Sequence, residues 1–129
     1  AALGATPDRA PDLIATRRTL PQQALLYRLN CDSYPVHGAP PLAAVAGFDR
    51  ALLHGRCTLG MALREVLAGC LDYNADRIIG ISTRFAAPFF PGETLRVNIW
   101  REAHGLAFSA DVVERNVSVL SHGLIELYG

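Results

Sequence analysis

An α+β domain, one long helix covered by an antiparallel sheet, is the fold class that the sequence predicts. Between Gly55 and Cys70 the apolar residues Leu59, Leu63, Val66, Leu67 and Cys70 recur at three- and four-residue steps, the period of a helix with one buried face. From Arg77 onward the apolar period becomes two, the signature of strands. Short turns link consecutive strands, which predicts an antiparallel meander, and a sheet folded around the helix is the simplest cover for its apolar stripe. The 129 residues, 50% of them apolar with a mean hydropathy of +0.20, suffice for one folded domain and no more.

The elements follow in order. Residues 1–12, rich in Ala, Gly, Pro and Asp and without periodicity, are expected to be a linker or a trimmed N-terminal segment, and 13–129 a single domain. Leu13 to Leu20 predicts a short strand. Pro21 in a first turn, followed by Gln22 to Leu29, predicts a helix that Asn30 and Cys31 would end. The Pro-, Gly- and Ala-rich stretch from Asp32 to Phe48 is expected to be irregular, with one helical turn from Pro41 to Ala46. The long helix begins after His54-Gly55 and is expected to leave Arg64, Glu65 and Asp72 to solvent or to its ends. Four strands close the chain: Ile79 to Phe85; Leu95 to Ile99 after a turn at Pro88 to Gly92; Leu106 to Arg115 after Ala103-His104-Gly105; and Val117 to Tyr128.

Composition narrows the functions. Twelve basic and twelve acidic residues cancel without any run of like charge, so nucleic acid is not an expected partner. All twelve basic residues are arginine, which removes lysine Schiff bases and the P-loop lysine. Cys31, Cys57 and Cys70 are odd in number and form no CxxC pair, so reduced thiols in a cytoplasmic compartment are expected, with no metal site. No apolar run is long enough to span a bilayer, which predicts a soluble protein without membrane contact. No Gly-x-Ser-x-Gly elbow is present.

The fragment Tyr27-Arg28-Leu29-Asn30-Cys31-Asp32-Ser33-Tyr34-Pro35-Val36-His37 resembles the motif of the MaoC-like (R)-specific 2-enoyl-CoA hydratases (hydratase 2), an aromatic residue followed by Gly-Asp-x-Asn-Pro-Ile/Val-His. The likeness continues through Ala46-Gly47-Phe48, Leu53-His54-Gly55, Cys57-Thr58-Leu59-Gly60, Arg84-Phe85 with Pro88, and Pro91-Gly92-Glu93-Thr94-Leu95, covering about residues 20 to 127 in order. It is strongest to the second, catalytic half of the fused two-domain enzymes. The resemblance implies a hot-dog fold, a long central helix wrapped by an antiparallel sheet. It also implies a homodimer or one half of a double hot dog, an acyl-CoA thioester as substrate, and no cofactor beyond the coenzyme A that the substrate carries.

By the same resemblance Asp32 and His37 hold and activate the water that adds to a trans-2-enoyl thioester. Such chemistry needs a group to take a proton from water and a proton to be delivered to the α carbon. Charge that builds on the thioester oxygen calls for donors, and the N–H groups at Gly55, Arg56 and Cys57 sit where a helix start offers them. Gly55 would let the thioester approach the backbone, and Thr58 adds a hydroxyl. Two residues depart from the family pattern: Tyr34 stands where asparagine is usual and is expected to reshape the acyl pocket, and Cys31 replaces glycine. Gly38-Ala39-Pro40 likewise replaces the family's Ala-Asp-Pro.

Without that motif, an Asp and a His in a turn serve more often as a loop cap and a surface histidine. His54 stays open between capping, a backbone bond and a place in the site, and is not assigned to catalysis. His104 and His122 are expected at the surface or in packing, Cys57 and Cys70 in the core or lining a pocket, and Arg50, Arg56, Arg84 and Arg101 as solvated side chains or phosphate contacts. The reading is a hydro-lyase that hydrates trans-2-enoyl-CoA to (R)-3-hydroxyacyl-CoA. Its rivals are a hot-dog acyl-CoA thioesterase and a non-catalytic hot-dog partner subunit.

Overall fold

The structure, a computed structural model, describes residues 4–29, 37 and 40–129. Its elements are β1 (Leu13–Arg18), α1 (Gln23–Arg28), α2 (Pro40–Val45), α3 (Gly55–Cys70), β2 (Ile78–Phe85), β3 (Thr94–Glu102), β4 (Gly105–Val112) and β5 (Val117–Leu127), with a 3₁₀ turn at Ala75–Arg77 before β2. Asn74 caps that turn, its side chain accepting from the Asp76 N–H. The five strands form one antiparallel sheet in the order β1-β3-β4-β5-β2. Helix α3 lies against it, the arrangement of a hot-dog fold.

The alternation read in the sequence becomes the two faces of the sheet. Leu95, Val97 and Ile99 of β3 are fully buried, as are Ala110 and Val112 of β4 and Leu120 and Ile125 of β5, and they close on Ala62 and Val66 of α3. Burying side chains of this kind supplies about 1.5–3 kcal/mol each before conformational entropy is charged against it. Gly105 opens β4 where an added Cβ would stand 2.0 Å from the Ile125 carbonyl oxygen, so the close approach of β4 to β5 there requires glycine. On the outer face Trp100 is covered by the N-terminal stretch: its indole N–H donates to the Arg9 carbonyl at 2.8 Å, and Asp12 accepts from the Arg101 N–H at 2.7 Å. Residues 4–12 form neither helix nor strand.

Three expectations are corrected. The strand at Ile78–Phe85 does not form a hairpin with the next one. It pairs with β5 at the sheet edge, while β3 lies between β1 and β4. Eight residues, 86–93, separate the two strands, enough to cross the sheet end and more than a tight hairpin uses, and the open edge of β3 is taken by β1. Glu65 is not left to solvent. It is buried, accepting from Arg17 Nε at 2.5 Å and Arg64 Nη1 at 2.8 Å. The buried face of α3 is accordingly rotated from the leucine stripe: Thr58, Ala62, Glu65 and Val66 are buried, and Leu59, Leu63, Leu67 and Cys70 flank them half-buried. The third strand also ends at Val112 rather than Arg115, because the chain turns through Asn116 at φ 50°.

Candidate active site

The N-terminal end of α3 organises the site. His54 is extended (φ −60°, ψ 133°) and Gly55 is the first helical residue, so the helix starts abruptly from the segment Leu52–Leu53–His54. The first bond inside the helix runs from the Thr58 N–H to the His54 carbonyl at 3.0 Å, which leaves the N–H groups of the first turn directed out of the helix end. The Thr58 hydroxyl donates to the same carbonyl at 3.3 Å and keeps its oxygen lone pairs for a further contact. The Leu53 N–H donates to the Phe89 carbonyl at 2.9 Å, fastening this segment to the bend after β2.

Between those two segments lies a cleft of about 360 Å³. Its walls are mainly apolar, with Phe48, Leu52, Phe85, Phe89 and Val119 among them, and Gly55, Thr58 and His37 supply its polar edge. A Cβ on Gly55 would come within 3.1 Å of the Phe85 ring, so glycine here lets the aromatic wall close onto the helix start. A second hollow of about 260 Å³, bordered by Pro21, Leu25, Pro40 and Arg50, also ends at His37. The imidazole thus stands where two spaces meet.

His37 is held in one orientation. Its Nδ1 lies 2.9 Å from the Leu52 carbonyl oxygen, and a carbonyl can only accept, so the Nδ1 atom carries the hydrogen. In the neutral ring Nε2 then bears the lone pair, the state that a proton acceptor needs. Its face is stacked on His54 with centroids 3.9 Å apart and planes at 23°. Tyr27 packs on His54 in turn, at 4.6 Å and 50°.

The bend that forms the opposite wall is braced by a buried carboxylate. Glu93 accepts from the Phe90 N–H at 2.8 Å and from Arg115 through Nε at 2.6 Å and Nη2 at 2.9 Å, and Arg115 also donates to the Pro88 carbonyl at 2.7 Å. The Glu93 bond outweighs the cost of burial and holds the Arg115 guanidinium more firmly protonated than usual. Arg50 approaches the same carboxylate at 3.6 Å and covers the Phe90 ring, as Arg115 does.

Among the sequence-predicted residues, His37, Gly55 and Thr58 share the cleft, whereas Arg56 is exposed on the first turn of α3 and Cys57 is buried beneath it. Asp32, Tyr34 and Cys31 lie outside the described residues. Arg50 borders the second hollow, but Arg101 belongs to a separate depression with Cys70 and His104, at the other end of α3 from His54. His122 sits in β5 at φ 54° beside Ser121. Sequence reading did not find the Glu93–Arg115 bracket, although Pro91-Gly92-Glu93 marked the bend. It weighed His54 but had no sign of the stack. No cluster of three or more metal-binding side chains occurs among the described residues.

Comparison with known proteins places this architecture. Residues 2–122 match the family model described as MaoC like domain. The chain is 45% identical over 118 residues to enoyl-CoA hydratase ChsH3 of Mycobacterium tuberculosis, covering 92% of this chain and 41% of that protein. It is 41% identical over 123 residues to the peroxisomal enoyl-CoA hydratase 2 of Arabidopsis thaliana, covering 95% of this chain and 40% of that one. Its structure superposes on full-length peroxisomal multifunctional enzyme type 2 of Drosophila melanogaster with a TM-score of 0.96 at 39% identity, over 99% of this chain and 24% of that enzyme. The chain therefore spans less than half the length of these relatives.

Proposed function

The chain belongs to the MaoC-like domain family, and from that membership we propose that it is an (R)-specific enoyl-CoA hydratase, adding water reversibly to a trans-2-enoyl thioester to form the (R)-3-hydroxyacyl thioester. The observation that carries the reading is the setting of His37, an oriented imidazole at the edge of an apolar cleft that also receives the start of α3. The names of the hydratase relatives support the same chemistry.

In the proposed reaction Asp32 and His37 hold a water against C3 of the enoyl group. His37 Nε2 takes a proton as the water oxygen bonds to C3, and the displaced π electrons move through C2 onto the thioester oxygen. The N–H groups at the helix start, those of Gly55, Arg56 and Cys57, stabilise that developing charge with the helix dipole behind them. As the enolate collapses, C2 accepts a proton from the Asp32–His37 pair, which thereby gives back the one taken from the water, and the thioester is left whole. The acyl chain occupies the cleft lined by Phe48, Phe85 and Phe89, the Thr58 hydroxyl contacts the bound thioester, and Tyr34 shapes the acyl space. Coenzyme A enters as part of the substrate, and no further cofactor takes part.

For assembly we propose a homodimer or pairing with a second hot-dog domain. Support comes from β2, which pairs only with β5 among the described strands and exposes Ile79, Ile81 and Phe85. No described helix is long and apolar enough to cross a membrane. The odd number of cysteines and the absence of any CxxC pair favour a reducing, cytoplasmic setting, with the peroxisome of several relatives as the other candidate.

Crotonyl-CoA and a longer trans-2-enoyl-CoA test the reading, with loss of enoyl-thioester absorbance and release of free thiol followed on the same samples. Absorbance loss without thiol is expected. Thiol release would replace the hydratase with a thioesterase, and silence in both would leave a non-catalytic partner domain.

A further inference from the structure

We propose that His54 is a positioning residue for His37: its buried imidazole, packed between Tyr27 and His37, sets the plane of the His37 ring. This rests on reading His37 as the base of the hydration. His54 is 2% exposed and occupies the cap position of α3, yet its side chain makes no capping hydrogen bond. Its ring packs against two others, with centroids 3.9 Å from His37 and 4.6 Å from Tyr27.

Two contacts on His37 come from one short stretch of chain. The Leu52 carbonyl fixes the edge of the imidazole through Nδ1, and His54, two residues further on, fixes its face. A face contact opposes rotation of the ring about the Nδ1–oxygen line. The same stretch runs directly into Gly55, so the plane of the base and the direction of the first helical N–H groups are set by one segment, itself tied to Phe89. A thioester lying against the helix start would thereby meet a base already at the correct angle, and misplacement by about 1 Å is enough to cost on the order of a hundredfold in rate.

His54→Ala and His54→Phe test this in the full chain, the second retaining an aromatic face without nitrogen atoms. Steady-state hydration of crotonyl-CoA is measured beside long-range proton–nitrogen spectra of the His37 ring. For His54→Ala we expect kcat to fall about ten- to a hundredfold with KM within about threefold, and the His37 spectrum to change from a single Nδ1–H form to a mixture. For His54→Phe we expect the single form and kcat within about fivefold of the parent. An unchanged kcat and spectrum in His54→Ala would overturn the proposal. So would a His54→Phe protein as slow as His54→Ala with the His37 spectrum intact, since the nitrogens of His54 rather than its face would then matter. Failure of the parent chain to hydrate any enoyl thioester would remove the hydratase reading separately, and the spectra would still decide whether His54 orients His37.

Discussion

At the scale of single residues the site depends on the orientation of His37 as well as on its presence. His37 donates to the Leu52 carbonyl through Nδ1, so in the neutral ring the lone pair is on Nε2. His37→Gln and Asp32→Asn are each expected to lower kcat by about two or more powers of ten while leaving the thermal midpoint within a few degrees, about the size that loss of a positioned acid–base group produces. Steady-state hydration kinetics with thermal unfolding of the same preparations checks both. Full activity in either variant would remove that residue from the mechanism. His37 was legible in the sequence because it sits in a compact motif. The role of Glu93 was not, because Arg115 is 22 residues away and only the folding of the sheet brings the guanidinium onto the carboxylate.

At the scale of elements, α3 joins the core to the site: Ala62 and Val66 pack on the sheet, and its first turn faces the cleft. Glu65 in the same helix binds β1 through Arg17. Burial pushes the Glu65 carboxyl up, but the bonds from Arg17 and Arg64 outweigh it, so its pKa lies below the ordinary glutamate value. A carboxylate lowered on folding adds stability that is complete above its unfolded pKa and is lost as pH falls through the folded value. The parent should therefore lose stability below the ordinary carboxylate range more steeply than Glu65→Gln. The difference near neutral pH should be about 1 kcal/mol, kept small because solvent reaches both arginines. Urea unfolding at a series of pH values measures it, and parallel curves for the two proteins would show that the pair adds nothing. Helical periodicity announced α3 and its length, but it assigned Glu65 to solvent because it ranks residues by polarity and cannot register an arginine arriving from another strand.

At the scale of the whole molecule, the edge strand β2 presents Ile79, Ile81 and Phe85 at 54%, 41% and 55% exposure, a strip of apolar surface on a strand with one neighbour among the described strands. Water against such an edge is unfavourable, and charges usually blunt edges that stay unpaired. The proposed pairing predicts a dimer at tens of micromolar chain, as about the working range of sedimentation velocity, and Ile81→Glu should shift it toward monomer. A parent that sediments as a monomer and hydrates enoyl thioesters at full rate would refute the need for a second domain.

Local signals in the chain specify the class of the fold, the extent of α3 and the four strands after it to within a few residues, and the motif that contains His37. Each of these is encoded locally, by a period, a turn residue or a short motif. Folding alone brings β2 away from its neighbour to β5, buries Glu65, sets Arg115 against the cleft wall and lays His54 on the face of His37. All four depend on contacts between segments distant along the chain, where pairing is set by the closing of the sheet around the helix and leaves no periodic trace in the residues themselves.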